Sequence, residues 1–148
     1  GRKIPLYGRK VRVELDIKVE KFDYEGPDEW LRIALACAVQ RRDGSIVYTE
    51  TDFLDSPNTQ RHPTGNVLSG GDIVYRGGDV VEFKLDKAPL RVWRHYSVDL
   101  TSYIERGWGI KEGDLLESVY IVVESDKKPV EVELEVDNFW ISVSQTHV

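Results

Sequence analysis

The residues best placed to do chemistry lie on alternate positions of short β-patterned segments. In IVYTETDF (46–53), Tyr48, Glu50 and Asp52 share one parity and would project from one face of a strand. WRHYSVDL (93–100) offers Trp93, His95, Ser97 and Asp99 in the same way, and SVYIVVE (118–124) offers Ser118, Tyr120, Val122 and Glu124. If these strands share a sheet, aromatic rings, carboxylates and an imidazole stand on one surface. Such a surface suits sugars, whose axial C–H groups stack on rings while charged groups take the hydroxyls in pairs. On this reading Tyr48, Glu50, Asp52, Trp93, His95 and Tyr120 form the binding site. Trp93 and Tyr120 are its stacking platforms, and Glu50 accepts from hydroxyls. Trp30 or Trp108, both near loops, are alternative platforms. The competing readings are plain cross-strand packing and a face that docks against another domain.

Catalytic chemistry finds less support. Glu50 and Asp52 lie side by side on one strand, whereas glycoside hydrolysis needs two carboxylates flanking the bond, roughly 5–9.5 Å apart. His62, His95 and His147 are far apart in sequence and show no HxH or HExxH spacing. No nucleophile elbow anchors a Ser–His–Asp triad. Gly70-Gly71 and Gly77-Gly78 do not follow strand-to-helix order, so they read as turns rather than a phosphate loop. The single cysteine, Cys37, lies within the apolar run LRIALACAV (31–39) and is expected to be a buried, reduced thiol.

Charge narrows the partners further. The chain carries 26 acidic against 20 basic residues, a net charge of −6, with the basic residues scattered. Nucleic acid and anionic membrane surfaces are therefore not expected partners. No run approaches the ~20 apolar residues of a membrane span. The absence of Met, the few Asn and Gln, and the abundance of Glu, Lys, Arg and Val lean towards a thermophilic source. A chain of 148 residues suits one domain, and its Gly1-Arg2-Lys3 start suggests a module of a larger protein.

The elements that must position these residues are strands. VRVELDIKV (11–19) alternates, with Val11, Val13, Leu15, Ile17 and Val19 on one face. LRIALACAV sets large residues at odd positions and a stripe of Ala34, Ala36 and Ala38 opposite them. Arg42-Asp43-Gly44 predicts a hairpin into IVYTETDF. Residues 54–79, rich in Gly and Pro, read as a long irregular stretch with one short strand near Ile73–Tyr75. VVEFKL alternates again. TSYIERG (101–107) reads as a helical turn with Thr101 as N-cap and Gly107 as stop. SVYIVVE and VEVELEV predict a final hairpin, and the apolar parity changes at Asp137-Asn138, which predicts a β-bulge. Eight or so strands without alternating helices make an all-β, two-sheet antiparallel sandwich.

Two of these segments carry a resemblance. WRHYSVDLTSYI (93–104) and VEVELEVDNFWISV (130–143), through Trp93, Tyr96, Asp99-Leu100 and Asp137-Asn138, resemble the C-terminal part of jelly-roll carbohydrate-binding modules associated with glycoside hydrolases. The likeness covers about the last third of the chain. It implies a jelly-roll sandwich that binds polysaccharide without cleaving it, a linked catalytic domain in the same chain, and an extracellular setting. It also implies a structural calcium near Asp137; Glu14 and Asp16 on the first strand, or Asp52 and Asp55 by the long irregular stretch, are candidate further carboxylates, and the sequence does not choose between them. The alternative for Asp137 is that it accepts backbone N–H groups at a turn. Alternative functions are a structural or adhesion sandwich and a small hydrolase or lyase.

Overall fold

The computed structural model describes residues 2–26, 29–56, 73–126 and 129–146. The strands are β1 (Ile4–Pro5), β2 (Arg9–Tyr24), β3 (Leu31–Gln40), β4 (Ile46–Asp55), β5 (Ile73–Arg76), β6 (Val80–Lys84), β7 (Arg94–Asp99), β8 (Leu115–Ser125) and β9 (Val130–Gln145), with one helix, α1 (Leu100–Trp108), between β7 and β8. They form two sheets, one ordered β1-β8-β3-β4-β6-β5 and the other β7-β2-β9. The expected two-layer all-β sandwich is the observed architecture.

Alternation explains the layers. The five apolar residues of β2 (Val11, Val13, Leu15, Ile17 and Val19) are completely buried. They face Ile33, Leu35, Cys37 and Val39 of β3, with Phe53, Leu54, Leu100, Ile104 and Val98 completing the core. Each such side chain contributes ~1.5–3 kcal/mol by leaving water. Burial pushes the Cys37 thiol up to about 12, so it is an inert core hydrophobe, as its apolar surroundings suggested.

The structure corrects several local expectations. The β4–β6 pair runs parallel, so the larger sheet is mixed. SVYIVVE and VEVELEV do not form a hairpin: β8 belongs to the larger sheet and β9 to the smaller. Asp99, not Thr101, caps α1, accepting from Ser102 N at 3.3 Å. The Thr101 hydroxyl donates to the same carboxylate at 2.9 Å. Nor does the helix stop at Gly107. It ends at Gly109, whose φ of 73° suits only glycine and whose N–H reaches Glu105 O. Gly107 is instead a contact glycine, where a Cβ would lie 3.4 Å from Val81. The bulge on β9 is present where parity placed it, with Asn138 at φ 52°. Most of the irregular stretch, with His62, lies outside the described residues, as does His147.

Candidate functional site

Strand β3 is the floor of the site because its outward side chains are alanines. Across it, register sets Ala38 between Tyr48 and Ser118, Ala36 between Glu50 and Tyr120, and Ala34 between Asp52 and Val122. The parallel neighbour β6 adds Glu82 beside Glu50. Small residues in the middle and large ones on both sides leave a cleft of about 340 Å³, lined by Arg32, Tyr48, Glu50, Val80, Tyr120 and Glu124.

One end of this cleft is a buried ionic cluster. Arg32 continues the parity of the alanine stripe, and its side chain is only 2% exposed. It ion-pairs with Glu82, with Glu124, and with Glu50 at 2.6 Å. The Arg32–Glu50 contact is a close charge pair rather than a directed hydrogen bond, since Glu50 Oε2 has no well-aligned donor. The guanidinium also lies 5.7 Å from the centre of the Trp30 ring.

Asp55 joins the same cluster through a bulge. Ile33 pairs with Leu54 and Ala34 with Asp52, so Phe53 is an extra residue on β4. Phe53 and Leu54 both reach the core, and Asp55 swings round to the face of Asp52. The two carboxylates lie on one face, and Asp55's charge adds to burial in favouring the protonated form of Asp52.

Five carboxylates (Glu50, Asp52, Asp55, Glu82 and Glu124) thus share Arg32 and, near Asp55, the charge of Lys84. Burial raises Glu50 from an ordinary 4.5 to about 7, against the pull of Arg32 and with the push of Glu124. Burial, then the neighbouring Asp55, holds Asp52 well above the usual carboxylate range. Asp55 is raised mainly by burial. Tyr120 is raised by burial first and by Glu50 next. An excess of buried negative charge has two means of relief: protons, which these shifts describe, or a cation. Carboxylate oxygens of Glu50, Asp52 and Glu82 lie within 4.8 Å of one another and could hold a metal ion. Both oxygens of Asp52 and one of Glu82 lack a hydrogen-bond donor among the described residues. An all-oxygen set of this kind suits a hard cation such as Ca²⁺.

Of the residues expected at the site, Tyr48, Glu50, Asp52 and Tyr120 come together here. Trp93 and His95 do not. β7 pairs with β2 in the opposite sheet. There His95 Nδ1 bonds Asp16 Oδ1 at 2.8 Å on an exposed surface, and Trp93 lies outside the strand, also exposed. Alternation had fixed which face of each strand these residues use, but not which sheet. Among the alternative platforms, Trp30 stands beside Arg32, and Trp108 donates its Nε1–H to Tyr48 O at 3.1 Å. Asp137 sits at the β9 bulge, where it accepts the Asn138 N–H at 2.8 Å, which is its alternative role. Among the described residues, the three-carboxylate group that could hold a metal does not include it.

Sequence reasoning missed Arg32 and Glu82. Both carry a signal: Arg32 is the charged member of the alanine stripe's parity, and Glu82 is an acidic residue on the outward parity of β6, between Val80 and Lys84. Comparison with known proteins finds no protein-family model and no curated protein that match this chain.

Proposed function

We propose that this domain binds a neutral carbohydrate chain along the outer face of its larger sheet and does not cleave it. The observation that carries this reading is the open cleft in which Tyr48 and Tyr120 stand either side of an alanine floor that ends at Arg32, Glu50 and Glu124. Tyrosine rings offer apolar faces to sugar C–H groups, and Glu124 and Glu50, held in place by the buried Arg32, offer acceptors to hydroxyls. The carboxylates disfavour anionic glycans. The resemblance of the C-terminal segments to carbohydrate-binding modules supports the same reading, with polysaccharide as partner and a linked glycoside hydrolase as the beneficiary.

Two features speak against hydrolysis. Glu50 and Glu124 both ion-pair with the same Arg32 nitrogen, which holds them too close together for a glycosidic bond between them. Asp52 is only 1% exposed and cannot reach a ligand.

The test is affinity electrophoresis and calorimetry on soluble glucans, mannans and xylans, with a reducing-end assay alongside. At least one polysaccharide should bind and none should be cleaved. Tyr48→Ala and Tyr120→Ala should each weaken binding by ~1 kcal/mol or more, while Trp93→Ala leaves it unchanged. Binding that survives both tyrosine substitutions, or no binding across the panel, overturns the proposal.

A further inference from the structure

A second feature lies on the other sheet and does not depend on the carbohydrate reading. Strand β9 ends the order β7-β2-β9, so its outer edge pairs with no strand among the described residues. From Val136 onward its core-facing side chains face buried partners yet are themselves open to solvent, while Val132 and Leu134 still pack against the core. Val11 pairs with Val143, Val13 with Ile141 and Ile17 with Val136. The β2 members are 0% exposed, whereas Val136 is 38%, Ile141 41% and Val143 41% exposed. β9 therefore overhangs the facing sheet. Phe139, at 40%, lies at the bulge between them, and Trp140, at 67%, opposite Glu14, exposes a ring on the outer face of the same edge. The segment NFWISVSQ (138–145) contains no charge and no proline, the usual guards of a free edge.

The bulge makes this edge complementary to itself. Before it, the core-facing residues are even-numbered (Val130, Val132, Leu134, Val136), and after it they are odd-numbered (Ile141, Val143). In an antiparallel self-pairing about a two-fold axis, even positions can then face odd ones. Leu134 meets Val143 and Val136 meets Ile141 on one side, while Glu133 meets Ser144 and Glu135 meets Ser142 on the other. Every acidic residue of β9 lies before Asn138, so no two carboxylates face each other. A strand with uninterrupted alternation would set apolar against polar side chains in this register. A basic partner strand would suit the acidic half but not the neutral apolar half. We infer that β9 pairs antiparallel with β9 of a second copy of this chain, joining the two small sheets into one six-stranded sheet across a two-fold axis. Pairing runs in two arms, because Asn138 at φ 52° interrupts the ladder at the centre.

Sedimentation velocity and light scattering from ~1 to 100 μM should show a monomer–dimer equilibrium without larger species. Ile141→Lys puts a charge opposite Val136 of the partner subunit in both arms and should raise the dimer dissociation constant at least ~100-fold, with the circular dichroism spectrum unchanged. A second arm covers the case in which that variant fails to fold. The double variant Val136→Cys, Ile141→Cys should oxidise to a covalent dimer. Val136→Cys alone should not, because the two substituted positions would be roughly 17 Å apart along the strands. The native Cys37 is buried and takes no part. A monomer throughout the range, open-ended aggregation without a dimer, or equal cross-linking of the single variant would each overturn the inference.

Discussion

The outer faces of the two sheets are both rich in charge, yet they handle it in opposite ways. On the smaller sheet, charged groups stay in water, each with one or two neighbours. Asp16 takes His95 and Asn138, and Arg12 reaches Ser97 at 2.8 Å. On the larger sheet, Arg32, Glu82 and Asp52 are at most 1% exposed, and carboxylates outnumber cations. Exposed pairs are worth little because water competes for both partners. Buried charge is costly unless compensated, so the cluster persists only with its guanidinium and its protons or a cation in place. The contrast separates a face on which charge is incidental from one on which its arrangement is constrained, and the constrained face is the one with the cleft.

The largest expected effect breaks that constraint directly. Arg32→Met leaves Glu82 buried without its cation and should cost about 3–5 kcal/mol at pH 7 by urea denaturation. Arg12→Met, on the other sheet, should cost less than about 1 kcal/mol. Should the Arg32 variant be unfolded at pH 7, it should recover structure on acidification, as Glu50 and Asp52, both raised by burial, take up protons. Equal effects from the two arginines would show that burial does not set the cluster apart.

A second difference lies in pH. Glu50 binds its proton more tightly folded than unfolded, so the folded state holds more protons between 4.5 and about 7. The stability this provides is complete below 4.5 and is lost as pH rises through about 7, at about 1.4 kcal/mol per pH unit for one proton. Asp52 and Asp55, also raised, act with the same sign. Asp16 and Asp43, held below their usual range by hydrogen bonds, act in the opposite sense. Their contribution is present above 3.8 and lost on further acidification. Stability should therefore peak near pH 4–5 and decline towards neutrality, and Glu50→Gln should flatten that decline. A hard cation at Glu50, Asp52 and Glu82 would replace the protons, so millimolar Ca²⁺ should raise the melting temperature at pH 7.5 but not at pH 4.5. Identical melts in Ca²⁺ and EDTA at pH 7.5 would leave protons as the means of relief.

How much of this could be read from the sequence depends on what each pattern encodes. Alternation gave β2 and the alanine floor, because a period of two assigns a face directly. It also gave the Asn138 bulge, since apolar residues change parity there. The Phe53 bulge stayed hidden: Phe53 and Leu54 are both apolar, so the parity change that brings Asp55 to Asp52 leaves no polar residue out of step. Sheet membership was not legible at all. Trp93 and His95 have the expected strand pattern, but nothing local says that β7 pairs with β2 rather than with β8. Arg32 and Glu82 were visible as charges on outward positions. Their burial was not, because it depends on the side chains that converge from three other strands.

The smallest expected effect tests the quiet side of the comparison. Asp16 holds two partners, Asn138 Nδ2 on one oxygen and His95 Nδ1 on the other, both at 2.8 Å. Asp16→Asn can keep an acceptor for Asn138, but it removes the charge and sets an NH2 group towards His95. Since the site is exposed, water and salt already screen that charge. The melting temperature at pH 7 should move by no more than about 2 °C, and the shift should vanish at high salt. Asp16→Ala should lower it further, because the Asn138 side chain loses the acceptor that helps hold the bulge at φ 52°. Asn tolerates that left-handed conformation by itself, so even this loss should stay well below that of Arg32→Met. A large, salt-insensitive loss in Asp16→Asn would mean that charge on the smaller sheet is also structurally constrained, and the distinction between the two faces would fall.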